Sequence, residues 1–211
     1  MPRGRAHDYD ATREQILARA ARLFARQGYT ATSMNEVALA CGVSKASLYH
    51  YVADKQQLLA EIAAGHIMRL EELVDDVVDE ELPPQARLRR LITAFLAAYS
   101  NAQAEHRVLT EDVKFLPPSD RRRIVAGERR VVAAFADAIA AARPELRRGG
   151  LDKPLTMLLF GMMNWMFTWL KPRGALSHAE LAPIVADLFF GGLAAVHAPK
   201  RRVVELATTD V

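Results

Sequence analysis

Residues 44–52 carry side chains whose types and spacing suit contact with the edges of DNA bases. As a helix, this segment would present small residues outward and let its backbone approach the floor of the major groove. The Ala46 methyl can then meet a thymine methyl, Ser47 can hydrogen bond to a base edge or a phosphate, and Lys45 can reach a guanine edge. These residue types predict recognition of a nucleic-acid sequence.

Phosphate contacts are expected on both sides of this segment, because hydroxyl, ring and ammonium groups flank it. A mobile N-terminal arm with Arg3, Arg5 and Arg13 could add contacts to phosphates or to the minor groove. Tyr49 and Tyr51 have the alternative of packing between helices. The predicted DNA contacts are Thr32, Ser33, Ser44, Lys45, Ala46, Ser47, Tyr49, His50, Tyr51 and Lys55.

A helix-turn-helix is the element that would position these side chains. Ser33 and Glu36 have the spacing of a capping box, which begins a short helix. The turn at residues 41–44 contains Gly42, which tolerates the positive φ that such a turn needs. Leu48 would face inward and seat the second helix, leaving the polar side chains free for the groove.

This arrangement resembles the DNA-binding head of the TetR family of repressors over about residues 12–60. Val52 stands where members usually have Phe, which affects packing detail only. The resemblance implies an all-α, nine-helix, Ω-shaped homodimer with an N-terminal three-helix helix-turn-helix head and a C-terminal helical ligand-binding and dimerisation bundle. It also implies that the two heads occupy successive major grooves of a pseudo-palindromic operator. The residues that carry it are 32–38, 42–52, 54–55 and 58–59.

The formal charge is concentrated in the same part of the chain. Residues 1–55 hold eight Lys and Arg against five Asp and Glu, whereas residues 56–211 hold twenty of each. The whole net charge of +3 therefore lies in the N-terminal quarter. This favours a polyanionic partner for that quarter, double-stranded operator DNA.

Composition predicts a soluble, cytoplasmic protein with a sizeable interior. Of the 211 residues, 51% are hydrophobic, which is enough to bury a core. The single cysteine, Cys41, excludes an internal disulfide, fits a reducing compartment and is expected to be a small buried hydrophobe. No signal peptide is visible, and the most apolar run, residues 155–170, is shorter than a membrane span.

Periodicity and the spacing of Pro and Gly predict helices throughout the chain. We expect a DNA-binding domain at residues 1–55, a ligand-binding and dimerisation domain at 56–198, and a loosely held tail at 199–211. A break is expected at residues 144–150. The predicted helices are 11–26, a short helix from 34, 45–52, 55–81, 85–104, 107–116, 119–143, 154–170 and 178–196.

Two apolar segments near the C-terminus predict a subunit interface. Residues 155–170 are hydrophobic nearly all round, and the last helix has a second broad apolar face. A helix buried inside one subunit is the competing interpretation for the first segment. In TetR-family repressors the last two long helices pair with their two-fold mates, and a symmetric operator requires a dimer.

A ligand cavity is expected between the helices of the C-terminal region, because aromatic residues and a few polar groups share inward faces there. The alternative is that these residues form an ordinary core. Arg107, Lys114 and residues 121–123 are candidates for a basic mouth, although the last run could be a solvated helix face. The predicted ligand contacts are Phe95, Tyr99, His106, Leu109, Val113, Phe135, Met163, Asn164, Phe167 and Thr168.

Residues 164–177 and 187–193 look similar to repressors of acyl-CoA catabolic operons. Among them, the chain looks most like repressors of phenylacetate degradation, which implies phenylacetyl-CoA as the effector. The alternative is a repressor of an efflux or metabolic operon that senses a drug or another hydrophobic ligand. Release from DNA is the family's common response.

An enzyme and a DNA-independent ligand carrier are the rival functions. The sequence has no HExxH, no GxSxG, no Walker lysine loop and no dinucleotide-binding glycine run, and we expect no cofactor. Neither rival explains a capped helix-turn-helix with a local basic excess. The sequence therefore predicts a regulator that is not an enzyme.

Overall fold

A computed structural model describes residues 3–171 and 174–197, and this part of the chain is helical without strands. The two helices beyond the nine implied by the resemblance are short, Pro144–Arg148 with five residues and Met166–Trp169 with four. The helices are α1 (Arg3–Gln27), α2 (Met34–Cys41), α3 (Lys45–Leu48), α4 (Lys55–Asp79), α5 (Pro84–Asn101), α6 (Gln103–Glu111), a 3-10 turn (Val113–Phe115), α7 (Pro118–Ala142), α8 (Pro144–Arg148), α9 (Asp152–Asn164), α10 (Met166–Trp169) and α11 (His178–Leu193).

Local caps fix the boundaries of the helix-turn-helix as predicted. The Ser33 hydroxyl accepts a hydrogen bond from the Glu36 amide, while the Glu36 carboxylate accepts one from the Ser33 amide. Gly42 ends α2 in the left-handed conformation, with φ 66°. Ser44 caps the N-terminus of α3, and Leu48 is fully buried beneath it. The predicted helix-turn-helix is confirmed.

The first helix is longer than predicted. It begins at Arg3 rather than at residue 11, so the prediction of a mobile arm is wrong for its backbone. Tyr9 supplies a physical reason, because its ring stacks on that of Tyr51 with centroids 4.8 Å apart. This contact holds the early turns of α1 against the chain that follows α3.

Two of the predicted contacts of the arm, and the tail, lie outside what the structure describes. The side chains of Arg3 and Arg5 and residues 199–211 are in this group. Arg13 is described, and it forms an ion pair with Glu61 of α4. The prediction that Arg13 belongs to a mobile arm is therefore wrong.

Two predicted helices change into tighter turns before their predicted ends. α3 stops at Leu48 and continues as turns through residue 51, rather than running as one helix over residues 45–52. The predicted helix 107–116 is divided into α6 and the 3-10 turn, where the Phe115 amide donates to the Asp112 carbonyl. Both segments tighten at their ends, as short helices often do.

Two further boundaries were placed wrongly. The predicted break at 144–150 contains α8, because Pro144 occupies a first-turn position where its missing N–H costs nothing. The predicted helix 154–170 divides at Trp165 into α9 and α10. The Thr168 hydroxyl donates to the Trp165 carbonyl at 2.7 Å, and this local bond competes with the helical pattern.

The C-terminal bundle encloses the core between α4, α5, α7, α9 and α11. α4 packs along α7, α7 along α9, and α5 along α11. Gly127 permits the close approach of α7 to α4, because a Cβ there would lie 2.8 Å from the Cγ1 atom of Ile67. α6 contacts both α1 and α4, so the bundle and the head share an interface.

Among the described residues, no helix combines the length and apolar character that crossing a membrane requires.

Candidate DNA-binding head and ligand cavity

The first turns of α3 present the residues predicted to read bases. Ser44, Lys45 and Ala46 are exposed, Ser47 is half-buried, and the anchor Leu48 is inaccessible. Tyr49 and His50, which follow α3, are also exposed. The exposed side therefore carries ammonium, methyl, hydroxyl and ring groups next to one another, which can contact bases and phosphates together.

Two of the predicted contacts have their polar groups engaged within the protein. Thr32 is buried, and its hydroxyl donates to the Gly28 carbonyl at 2.9 Å. The Lys55 ammonium donates to the carbonyls of Tyr29 and Thr32 at 2.9 and 2.8 Å, and it lies 4.4 Å from the centre of the Tyr29 ring. In this conformation both residues secure the connection between α1 and α2 rather than presenting these groups to solvent.

Two other predicted contacts combine exposure with a structural bond. Ser33 is exposed, but its hydroxyl donates to the Glu36 carboxylate at 2.8 Å. Tyr51 is half-buried against Tyr9, so the alternative of packing between helices describes much of its ring. Each position therefore shapes the surface of the head as well as lying on it.

Sequence reasoning missed two residues that hold the head together. Tyr9 stacks on Tyr51, and its hydroxyl donates to the His50 carbonyl at 3.1 Å. Arg19 donates to the Ala40 carbonyl at 2.8 Å, near the C-terminus of α2. An aromatic residue in an otherwise polar N-terminus was the only available signal for Tyr9. Arg19 had none, because its partner lies 21 positions away.

A cavity of about 250 Å³, called here the inner cavity, lies between α4, α6, α7 and α9, with Tyr99 of α5 on its wall. Four of the predicted ligand residues line it, and α7 and α9 contribute the rest of an apolar wall. Phe95 and Phe135 are not on this wall. Both are fully buried and pack against Phe160, which is one of the wall residues. The wall includes Tyr99, His106, Leu109, Val131, Phe160 and Asn164.

The remaining predicted ligand residues are not on the wall of the inner cavity. Val113 is buried in the 3-10 turn and Met163 is buried in α9. Thr168 is exposed, with its hydroxyl bonded to the Trp165 carbonyl. Phe167 lies on the other side of His106, with ring centroids 6.3 Å apart. For Val113 and Met163 the alternative of ordinary core packing fits the structure.

A buried histidine pair is the main polar feature beside the inner cavity. His66 Nε2 and His106 Nδ1 are 3.3 Å apart, and the His106 ring stacks on Tyr99 with centroids 3.6 Å apart. Burial, with a smaller effect of Arg69, lowers the pKa of His66 to about 4. Burial, with smaller effects of His66 and His178, lowers the pKa of His106 to about 3. Both rings are therefore neutral at physiological pH, and one proton is shared between the facing nitrogens.

Three buried polar atoms in this region have no hydrogen-bond partner in the described part of the chain. They are His66 Nδ1, His106 Nε2 and Asn164 Oδ1. If His66 donates to His106, then His106 Nε2 carries a proton and can donate to a ligand; in the opposite tautomer it accepts. Because buried polar groups are normally satisfied, His106 and Asn164 offer a ligand two directional contacts within an apolar wall.

Burial affects the pKa of other groups around the inner cavity. The pKa of the Glu128 carboxyl is raised, mainly by its removal from water. The pKa of the Tyr99 hydroxyl is raised for the same reason, so this group remains protonated. The inner cavity therefore favours uncharged ligand groups. In the described part of the chain, no cluster of three or more His, Cys, Asp or Glu residues is placed to hold a metal ion.

Comparison with known proteins connects these two sites to one family. The model of the tetracyclin repressor-like C-terminal domain matches residues 81–193, and that of bacterial regulatory proteins of the tetR family matches residues 16–62. The chain belongs to the TetR family. It is therefore a transcriptional regulator, and the two matched segments contain the helix-turn-helix and most of the inner-cavity wall.

Solved structures support the assignment over nearly the whole chain. A TetR-family regulator from Bordetella parapertussis 12822 is 34% identical, with a TM-score of 0.82, and the match covers 89% of this chain and 98% of that one. AibR, solved in complex with isovaleryl coenzyme A and operator DNA, is 28% identical, with a TM-score of 0.74 and coverage of 84% and 97%.

A curated relative of this TetR-family regulator has a known regulatory role. The transcriptional repressor KstR2 of Mycobacterium tuberculosis is 24% identical over 191 residues, which are 89% of this chain and 96% of that protein. Its solved structure, a ketosteroid transcriptional regulator, has a TM-score of 0.78 at 22% identity. At that identity the likeness establishes the shared fold alone.

Proposed function

We propose that this TetR-family regulator is a homodimeric repressor that binds a pseudo-palindromic operator and is released by an acyl-CoA effector, with phenylacetyl-CoA the first candidate. The observation that carries the proposal is the connection between the inner cavity and the head. α6 contributes His106 and Leu109 to the cavity wall, and the turn that follows α6 stacks Phe115 on Tyr29 with ring centroids 5.5 Å apart.

DNA binding is assigned to residues 1–55, and ligand binding and dimerisation to residues 56–198. The direct contacts are those that α3 and its following turn leave exposed, from Ser44 to His50. Thr32 and Lys55 contribute indirectly, by fixing the chain between α1 and α2. In a helix-turn-helix dimer each half-site receives one such helix in its major groove.

An apolar face on α9 and α11 supports the dimer. Leu158 of α9, Trp165 directly after α9 and Leu188 of α11 each expose about two-thirds of their surface, at 65%, 66% and 66%. Gly161 and Gly191 lie on the same two helices, and a Cβ at either would meet nothing within 4 Å. Exposed large apolar residues beside glycines suit the close packing of helices from a second copy.

The size of the inner cavity supports an effector that enters only in part. Pockets that hold a whole drug-sized ligand span about 300–1,000 Å³, and the inner cavity has about 250 Å³. It suits a short or single-ring acyl group whose carbonyl meets His106 or Asn164. The likeness to AibR adds weight, because AibR was solved with an acyl-CoA and DNA together.

Release is a population shift between two arrangements of the heads. A ligand that fills the inner cavity would move α6, and the Phe115–Tyr29 stack would carry that movement to the head. Lys55 and the first turn of α4 are connected to the same ring. A coupling of about 1–3 kcal/mol, typical of linked sites, would weaken operator binding about 5- to 150-fold.

A titration of operator-bound protein tests the proposal. The ligands are phenylacetyl-CoA, isovaleryl-CoA, longer acyl-CoAs, the corresponding free acids and cationic dyes, and the readout is operator affinity by fluorescence anisotropy. We expect thioesters to release the operator while acids and dyes do not. Release by dyes alone would indicate a sensor of drugs or other hydrophobic ligands, and tighter operator binding with thioesters would reverse the direction of the proposed response.

A further inference from the structure

A second concavity, called here the arginine groove, has a different chemistry from the inner cavity. It has about 510 Å³ and lies where α1, α5, α6 and α10 meet. Arg22 and Arg26 of α1 and Arg107 of α6 line it, together with Phe167 of α10 and polar groups such as Asn101. The head and the C-terminal bundle therefore both contribute to its wall.

The charge of the arginine groove is unusual for this molecule. Its three arginines face one carboxylate, that of Glu105. Each of the other four main cavities in the described residues has at least as many carboxylates as Lys and Arg side chains. Arg22 and Arg26 are exposed, and neither forms an ion pair within the described chain. Arg107 pairs with Glu111 at 2.9 Å, which leaves part of its guanidinium for another partner.

The arginine groove and the inner cavity approach each other where Phe167 of the first meets His106 of the second. The Phe167 ring lies 6.3 Å from the His106 ring, which lines the inner cavity. The Cζ atom of Arg107, which also lines the arginine groove, lies 5.7 Å from the centre of the same Phe167 ring. A ligand that passes Phe167 would therefore lead from an uncharged apolar cavity to a cationic surface.

We propose that the arginine groove binds the phosphate-bearing headgroup of the effector whose acyl group occupies the inner cavity. This inference rests on the proposed function, and it orients the effector between the two cavities. Burial disfavours charge in the inner cavity, so an anionic headgroup would be more stable outside it. Arginine forks match phosphate oxygens in bidentate geometry, and three of them around one groove suit a group with several phosphates.

The position of Arg22 and Arg26 gives this binding a consequence for DNA. Both belong to α1, which is part of the head, whereas Arg107 and Phe167 belong to the C-terminal bundle. A headgroup held by both sets ties α1 to α6. The effector then acts on the head through its phosphates as well as through its acyl group.

A paired-ligand measurement tests the proposal with the full-length protein. Phenylacetyl-CoA and isovaleryl-CoA are each compared with the matching S-acyl-pantetheine, which lacks the phosphates and the nucleotide. Affinities are measured by isothermal titration calorimetry for the wild type and for Arg22→Gln/Arg26→Gln. We expect the variant to bind the CoA thioesters about 10- to 100-fold more weakly, because two charged contacts are lost, and the pantetheine thioesters equally well.

A matched control is Arg129→Gln/Arg148→Gln, which removes two exposed arginines, one from α7 and one from α8, and should change neither affinity. Equal weakening of both ligand types in Arg22→Gln/Arg26→Gln would assign these arginines a structural role and overturn the proposal. Unchanged affinity for the CoA thioesters would overturn it as well, while leaving the proposed function intact. If the wild type binds no CoA thioester, the proposed effector class fails together with it.

Discussion

At the scale of residues, the regulator separates charged and uncharged recognition. Lys45 and the exposed groups after α3 remain in water, where they can meet phosphates and base edges. His66 and His106 are buried in neutral form, and their unpartnered nitrogens can hydrogen bond to a ligand without carrying a charge. The first set suits a polyanion, and the second suits an uncharged acyl group.

Replacing Lys45 and Tyr49 tests the DNA-reading surface at this scale. We expect Lys45→Ala/Tyr49→Ala to weaken operator binding at least about 100-fold in a gel-retardation titration, because each lost contact to a base or phosphate is worth about 1–3 kcal/mol. Lys153→Ala, which removes an exposed ammonium from α9, is the control and should bind normally. Undiminished retardation by the double variant would count against α3 as the reading helix.

The buried histidines predict a loss of stability in acid. Their pKa values in the folded protein, about 4 for His66 and about 3 for His106, lie below the ordinary value of 6.5. At pH values between 6.5 and these lower pKa values, the unfolded chain binds more protons than the folded one. The free energy of unfolding therefore falls as pH drops below about 6.5. The slope is at most about 1.4 kcal/mol per pH unit for each histidine.

Urea unfolding at pH 7 and pH 5 measures this dependence. His106→Gln should flatten it, because one group that must protonate on unfolding is removed. The matched control His50→Gln, at an exposed position, should retain the wild-type slope. An equally steep slope in His106→Gln would mean that other groups control the acid sensitivity.

At the scale of elements, α6 and the 3-10 turn connect the inner cavity to the head. α6 packs against α1 and α4, and Phe115 at its far end is 38% exposed while stacked on Tyr29. Tyr29 also packs edge-on against Phe24 of α1 and lies under the Lys55 ammonium. A movement of α6 can therefore reach α1 and α4 both through their direct packing and through the Tyr29 ring.

Removing the Phe115 ring tests this connection. Phe115→Ala should bind acyl-CoA with an affinity within about 3-fold of the wild type, because Phe115 does not line the inner cavity. The coupling free energy between effector and operator should fall by about 1 kcal/mol or more. It is calculated from the ratio of operator affinities with and without effector. Phe115→Tyr retains a stacking ring and serves as the control. Full release by Phe115→Ala would show that other contacts couple the inner cavity to the head.

At the scale of the whole molecule, one subunit supplies only half of the operator-binding surface of the proposed dimer. It presents one head, and it leaves an apolar face on α9 and α11 in water. Packing two such faces together would bury the exposed leucines and Trp165. The spacing of the heads then depends on how each bundle holds its own α4.

A charged residue in this face tests the dimer. We expect Leu188→Glu to shift the protein to a monomer in sedimentation-velocity experiments, because a carboxylate would be buried without a partner. Operator affinity should fall by more than about 100-fold, since only one half-site is then held. Met68→Glu changes an exposed apolar residue on α4 and should leave the dimer intact. A dimeric Leu188→Glu would place the interface elsewhere.

The sequence by itself determined the features that depend on neighbours along the chain. The capping box at Ser33, the left-handed Gly42, the cap at Ser44 and the anchor Leu48 each need partners within a few positions. Their periodicity and cap chemistry are therefore visible in the letters. The same holds for the all-helical fold and for the division into a head and a bundle.

Only the tertiary structure decided which distant side chains meet. His66 and His106 are 40 positions apart, and Tyr9 reaches the His50 carbonyl across 41. The structure placed Arg107 with Arg22 and Arg26, not with the run at 121–123 that the sequence had suggested. Such contacts depend on how helices pack against one another, and no local spacing encodes that choice. This is why the local form of the helix-turn-helix could be predicted from the sequence, whereas the walls of the inner cavity were predicted only in part.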